Sequence, residues 1–295
     1  MENTFTFKDS LQRFLFDNSP IRGTVVKLNH TYRDVLQHQH LPTVIKIALG
    51  ELMAASALLS ASLKMDGSLI LQIQSKGPLK LLVVECNSKL DMRATAKWSE
   101  PLGETADFIS LVSEGHCMIT LDPTDGEAYQ GIVPIEGDSI ADMLSYYMLQ
   151  SQQIDTKLWL TCNGESAAGM LIQKLPDAPM QDADAWNRVG MLADTVANEE
   201  LQTLAPDVLL TRLFNEEEVR LFAPTRTQFK CRCNRKNVAN MLHMLGAAEV
   251  NSVIAELGKV DVNCDFCNQQ YQFDALDMAA LFASNVADIN SDLAH

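Results

Sequence analysis

The chain has little positive charge, few aromatic residues and no long uninterrupted apolar run. Its 295 residues carry 23 lysines and arginines against 38 aspartates and glutamates, a net charge of −15. The average field repels polyanions, which argues against general binding to DNA or RNA. Aromatics make up only 6% of the residues, too few to interleave with basic side chains into a stacking surface. The longest apolar stretch, Val44 to Leu63, is broken by Lys46 and Glu51. It is expected as a buried amphipathic helix and not as a membrane span. The first residues, Met1 to Asp9, include acids and lack an apolar core followed by a small-residue cleavage site. A cytoplasmic protein is therefore expected, with its thiols reduced at rest. No nucleophile elbow, phosphate loop, HExxH or dinucleotide fingerprint occurs, so an enzyme reading has no site to rest on and no catalytic residue is assigned.

What is present is an uneven set of seven cysteines. Four of them crowd the last quarter of the chain, Cys231 and Cys233 as Cys-Arg-Cys, then Cys264 and Cys267 as Cys-Asp-Phe-Cys. Two close pairs separated by one small folded unit are how a chain builds a tetrahedral four-thiolate zinc site. In an extended segment residues two apart point the same way, so Cys231 and Cys233 can approach one metal. A tight turn brings Cys264 and Cys267 together. One zinc ion per reduced chain is expected on these four residues. His243, the one other zinc-typical ligand in the intervening loop, is expected as an ordinary surface or core imidazole. His30, His38, His40 and His116 form no metal or dyad pattern. Cys86, Cys117 and Cys162 sit alone in or beside apolar runs, where cysteine is usually a small buried hydrophobe.

The expected fold class is α+β: a large mixed α/β N-terminal domain, a helical linker and a small C-terminal four-cysteine domain. Residues 1–175 read as the first. Ile21 to Leu28 alternates like a strand, Pro42 to Lys64 is helical in composition, and strand-like runs follow at Ser68 to Gln74 and Leu79 to Cys86. Further strands are expected at Met118 to Leu121, Gly131 to Ile135 and Leu158 to Cys162, and Ser139 is placed to cap a helix from Ile140 to Leu149. Residues 176–227 form the linker, with ten acidic residues against Arg188 and Arg212 between Pro176 and Val219. Trp186, Val189, Leu192, Val196, Leu201 and Leu204 recur at helical intervals; Pro206 interrupts, and Leu209, Leu210, Leu213 and Phe214 follow. The segment reads as a marginally stable amphipathic linker, and equally as an ordinary pair of packed helices. Residues 228–295 form the third unit, with short helices stopped at Gly246 and Gly258, a strand at Val260 to Val262 leading into the Cys264–Cys267 turn, a returning strand through Tyr271 and Phe273, and a closing helix from Leu276 to Phe282. So small a unit needs a metal to supply much of its folding energy.

Closed four-thiolate sites are usually permanent staples. A sensor needs reactive thiolates and a conformation that changes when the metal leaves. Arg220, Arg226, Lys230, Arg232, Arg235 and Lys236 cluster here with no acid between Arg220 and Glu249. Such cations are expected to lower the thiol pKa. Within each pair a sulfenic acid has a neighbouring thiol with which to condense. Loss of metal would then unfold the unit, and the acidic linker with it.

With these residues on the page, the chain resembles the redox-regulated thirty-three-kilodalton heat-shock chaperone family of bacteria. The strongest evidence is the spacing of Cys231-x-Cys233 and Cys264-x-x-Cys267, with Tyr271 and Phe273 just after. Arg22-Gly23, Leu49-Gly50-Glu51-Leu52, Leu63-Lys64-Met65-Asp66-Gly67, Gly77-Pro78-Leu79-Lys80, Tyr146-Tyr147, Gln150-Ser151 and the run Gly169 to Pro176 extend it across nearly the whole chain. Asn234, where serine is often found, and Gln152, where glutamate is common, depart from the family pattern. The resemblance implies an ATP-independent holdase that is zinc-loaded and inactive when reduced. Oxidation would join Cys231–Cys233 and Cys264–Cys267, release zinc and unfold the zinc domain and linker. The active form would be a homodimer that holds unfolding client proteins and passes them to a downstream ATP-dependent foldase. A nucleic-acid-binding zinc module is the main rival reading, weakened by the net charge and by having only Phe222 and Phe229 among the basic residues. A thiol-disulfide oxidoreductase using Cys264 and Cys267 is the second, weakened by the missing thioredoxin-like βαβ context.

Overall fold

The computed structural model describes residues 9–63, 66–99, 102, 107–175 and 182–282. The N-terminal stretch inspected for an export signal, Lys64-Met65, residues 176–181 at the start of the acidic segment and everything after 282 lie outside that range. The chain divides into two compact units, one ending at Lys230 and the other beginning at Cys231.

The first unit opens with β1 (Asp9–Phe16), β2 (Ile21–Leu28), α1 (His30–Leu36) and α2 (Thr43–Ser60), then β3 (Gly67–Gln74), β4 (Leu79–Asn87) and β5 (Asp91–Trp98). It continues through α3 (Phe108–Leu111), β6 (His116–Pro123), β7 (Tyr129–Pro134), α4 (Ile140–Gln152), β8 (Thr156–Cys162) and β9 (Ala167–Lys174). Helices α5 (Ala185–Ala193), α6 (Asn198–Thr203) and α7 (Pro206–Leu213) follow, and then β10 (Val219–Leu221), β11 (Thr225–Arg226) and β12 (Gln228–Phe229). The first sheet runs β10-β1-β2-β9-β8, with β11 also on β1; the second runs β12-β5-β4-β3-β6-β7. The mixed α/β class expected from the sequence is the one observed, and Ser139 caps α4 by accepting a hydrogen bond from the Asp142 amide at 3.1 Å.

Helix α2 lies between the sheets. Its Ile45, Leu49, Leu52 and Leu58 share one core with Leu11, Val26 and Leu171 of the first sheet and with Leu71, Val84 and Met92 of the second. The length and hydropathy of α2 would also suit a membrane span. Here its apolar surface is buried on both sides by strands. The opposite face of the first sheet carries a second core. Phe14, Phe16, Met170 and Ile172 meet Val189, Leu201, Leu209, Leu210 and Phe214 from α5, α6 and α7. The Phe14 ring lies across Gly23 so closely that a Cβ there would fall 2.0 Å from its Cζ, so only glycine fits beneath it.

The acidic segment is therefore packed. Pro206 starts α7 and does not interrupt a longer helix, because its missing N–H is tolerated in the first turn. Arg188 binds Asp182 at 2.9 Å and Glu217 at 2.7 Å, and Arg212 binds Glu200 at 2.8 Å, so both arginines of the segment offset its acids. One contact is costly. Lys27, 3% exposed, donates to the Leu201 carbonyl in the last turn of α6 and has no carboxylate partner among the described residues. Burial lowers its pKa to about 8.

The three short strands β10 to β12 were not foreseen. They stitch the segment after α7 into both sheets, β10 and β11 on β1 and β12 on β5. The β12–β5 pairing is the one parallel pairing among the described residues. The Asp91 carboxylate fastens it, accepting from Gln228 Nε2 at 2.6 Å and Lys230 Nζ at 3.0 Å. Burial opposes ionisation of Asp91, but these bonds and one from Asn87 outweigh it and hold its pKa below the usual range.

Candidate metal centre

The second unit is small. Helices α8 (Arg235–Leu245) and α9 (Ala247–Leu257) precede the hairpin of β13 (Lys259–Asn263) and β14 (Gln270–Asp274), and residues 275–282 are helical. Its buried core among the described residues is Val238, Leu242, Val250, Val260, Phe273 and Met278. Asn234 begins α8 with its side-chain oxygen on the Asn237 amide at 2.9 Å, a role that serine performs equally well, so this departure from the family pattern keeps the cap. Gly258 ends α9 at φ +76°, the left-handed conformation that lets the chain reverse into β13. Arg235 ties the start of α8 to the hairpin, with bonds of 2.7 Å to the Gln272 carbonyl and to Asp277 and its guanidinium 4.3 Å from the Phe273 ring centre.

This framework sets the sulfurs. Cys231 and Cys233 lie on the irregular segment before α8. Cys264 and Cys267 lie on the turn between β13 and β14, closed by Cys264 N–H to the Gln269 carbonyl at 3.0 Å and Asn268 N–H to the Cys264 carbonyl at 2.8 Å. The four Sγ atoms all fall within 4.8 Å of one another and are half-buried. Across the two arms, Cys231 Sγ is 3.7 Å from Cys264 Sγ, and Cys233 Sγ is 3.3 Å from Cys267 Sγ. Four thiolates at about 2.3 Å from a tetrahedral ion stand about 3.8 Å apart, so the cluster fits zinc. Proximity alone selects no disulfide partner.

Tyr271 adds a fifth group. Its hydroxyl donates to Cys233 Sγ at 3.2 Å, and that bond, with burial, raises the phenol pKa to about 12. The sequence reading noted Tyr271 without assigning it this contact. The available signal was the alternation of Tyr271 and Phe273 along β14, which turns the phenol to the same side as a core residue. His243 is outside the sulfur cluster and stacks on Phe282, ring centres 5.1 Å apart.

The expected basic field around the thiols is offset in part. Arg220 binds Asp17 at 2.7 Å, Lys230 binds Asp91 and Arg235 binds Asp277. These acids are distant in sequence from the cations they meet. The Cys267 thiol is shifted up, first by burial and then by the neighbouring sulfurs, and not down. The isolated cysteines behave as read. Cys86 and Cys117 are fully buried, and burial pushes both thiols up to about 12. Cys162 is half-buried and also raised by burial.

A family model described as Hsp33 protein matches residues 9–274. The chain belongs to the Hsp33 family. It is 55% identical over 290 residues to the 33 kDa chaperonin of Methylobacillus flagellatus, covering 97% of this chain and 99% of that protein. To the 33 kDa chaperonin of Chromobacterium violaceum it is 47% identical over 289 residues, covering 97% and 98%. The crystal structure of the 33 kDa chaperonin, an Hsp33 homologue, of Thermotoga maritima superposes with a TM-score of 0.81. That match covers 95% of this chain and 99% of that one at 22% identity, and shows a common Hsp33 fold. The resemblance seen in the cysteine spacing is thus a family relationship, and the family is one of chaperones.

Proposed function

We propose that this Hsp33 protein is a redox-regulated, ATP-independent holdase of the cytoplasm, not an enzyme, which protects unfolding proteins during oxidative stress. The observation that carries the reading is the convergence of four sulfurs within 4.8 Å in a unit with so small a core. Cys231, Cys233, Cys264 and Cys267 would hold one zinc ion, which when bound supplies cross-linking charge that closes the unit. Tyr271 orients Cys233 and offsets charge on its sulfur.

In the oxidative step a peroxide oxygen adds to one thiol, giving a sulfenic acid and water. The neighbouring thiol then displaces a second water and forms the S–S bond, so each pair loses two electrons and two hydrogens. The proposed pairs are Cys231–Cys233 and Cys264–Cys267. The oxidised sulfurs no longer offer four thiolates, and a core of this size cannot hold the unit closed alone. Release of the chain before Cys231 would then loosen the acidic segment. Its departure uncovers the apolar face of the first sheet, Phe14, Phe16, Met170 and Ile172, for an unfolding client. The active form is proposed as a homodimer that later yields its client to an ATP-dependent foldase.

The test is citrate synthase aggregation in the presence of reduced and oxidised protein, with zinc release followed in parallel. Suppression by the oxidised form alone, accompanied by release of about one zinc per chain, is expected. Equal suppression by both forms would refute the switch.

A further inference from the structure

A cavity of about 390 Å³ opens where the end of α2 meets the first sheet. Arg13 of β1 and Arg22 of β2 both line it. The register pairs Arg13 with Thr24 and Leu15 with Arg22, so these four side chains share one face. Arg22 gives its Nε and Nη2 to the Oε1 of Gln173, at 3.1 and 2.7 Å. Gln173 is fully buried and is itself held through its Nε2 on Thr156 at 3.1 Å. Arg13 gives Nη2 to the Ala61 carbonyl at 2.9 Å. Among the described residues neither guanidinium meets a carboxylate. In a chain of net charge −15, two adjacent cations facing one cavity are left without a carboxylate counter-ion among the described residues. Burial and the neighbouring Arg13 both weaken the hold of Arg22 on its proton.

We propose that this cavity binds a carboxylate carried on an apolar group, with Arg13 and Arg22 gripping the carboxylate and Leu15 and Phe222 contacting the apolar body. Arg22 has committed Nε and one N–H of Nη2, and Arg13 one N–H of Nη2, so both guanidiniums keep N–H groups for an oxyanion. The apolar part of the wall then decides its class, because a carboxylate on an apolar group fills that wall and inorganic phosphate does not. The rest of the lining includes Leu15, Ala61 and Phe222, the last 42% exposed. Such a wall favours a ligand with an apolar portion. The Phe222 backbone is fixed beside it, its amide on the Arg13 carbonyl at 2.9 Å and its carbonyl on Gln12 Nε2 at 3.2 Å.

The test is calorimetric titration of the reduced, zinc-loaded full chain with N-acetyl-phenylalanine. Its amide and inorganic phosphate, at matched ionic strength, serve as controls. Saturable binding of the acid to one site is expected, with none for the amide and weaker binding of phosphate. Arg13→Gln and Arg22→Gln should each weaken binding at least ten-fold. Arg13 is exposed, so Arg13→Gln keeps the test decisive if Arg22→Gln fails to fold. No saturable binding of the acid, equal binding of acid and amide, phosphate binding as tight as the acid, or undiminished binding in Arg13→Gln would each overturn the proposal.

Discussion

Among single residues, Tyr271 is the one whose chemistry is most separable from its packing. The ring stays on β14 if the hydroxyl is removed, and only the bond to Cys233 Sγ is lost. Outer partners of metal ligands typically contribute ten- to hundred-fold in affinity. Tyr271→Phe is therefore expected to bind zinc about ten-fold more weakly, as read by competition with a chelator, while its circular dichroism with zinc present is unchanged. Wild-type affinity would show that the hydroxyl is incidental. The cluster of four cysteines was legible because two close pairs at this separation are a spacing that chance rarely produces and that four-thiolate sites require. Tyr271 was not legible as a partner, because a tyrosine on a strand has many uses. The acids that meet Arg220, Lys230 and Arg235 were hidden for another reason. Asp17 and Asp91 are brought in by tertiary structure, so a local tally of charge saw a basic cluster where the folded chain has ion pairs.

Elements were legible where one face is buried and one is wet. Strand β3, with Leu69, Leu71 and Ile73 inward, alternates cleanly and was placed within a residue. Strands β1 and β9 are covered on both faces, by α2 on one side and α5 to α7 on the other. Burial along β9 is nearly continuous, so no period of two survives there, and in β1 the buried Ser10 beside Leu11 and the polar pair Gln12-Arg13 break the alternation. Strand β5 keeps the alternation but spends it on Ala94 and Ala96, which are too small to stand out. At two or three residues, β10 to β12 exist only through their pairing. Lys27 is buried against the end of α6, and its pH response follows from that burial. A lysine with a lowered folded-state pKa binds its proton more weakly when folded than when unfolded. Stability should rise as pH increases from about 8 to 10.5, and the full cost of the buried charge is present below 8. Lys27→Met should therefore raise stability at pH 7 by on the order of 2 kcal/mol and flatten that rise. Urea unfolding at pH 7 and pH 10 measures both. A destabilised variant with unchanged pH dependence would mean that the Leu201 bond outweighs the burial.

For the whole molecule, the division at Lys230 sets what metal removal should do. The first unit has two extensive cores, each anchored on a six-stranded sheet, whereas the second has, among the described residues, six buried apolar residues and four clustered sulfurs. Chelation of the reduced protein is expected to abolish hydrogen-exchange protection in 235–274 while α2, β3 and β4 stay protected. Retained protection in β13 and β14 would show that the small core folds without metal. The broad α+β class was legible from the alternation of helical and strand-like segments. The sheet order was not, since the β1–β2 and β8–β9 hairpins are joined only by the pairing of β2 with β9, more than a hundred residues apart, and β1 takes β10 from still further along the chain.

The parallel pairing of β12 with β5 has a consequence of its own. Its last residue, Phe229, stands one position from Lys230, whose ammonium is held by Asp91, and the next residue is the first cysteine. One peptide bond separates Lys230 from Cys231, the residue at which the second unit begins. On the proposed switch, disorder arising in the second unit would start one residue from the seam, and a few glycines inserted after Lys230 would be expected to absorb it before it reached the sheet.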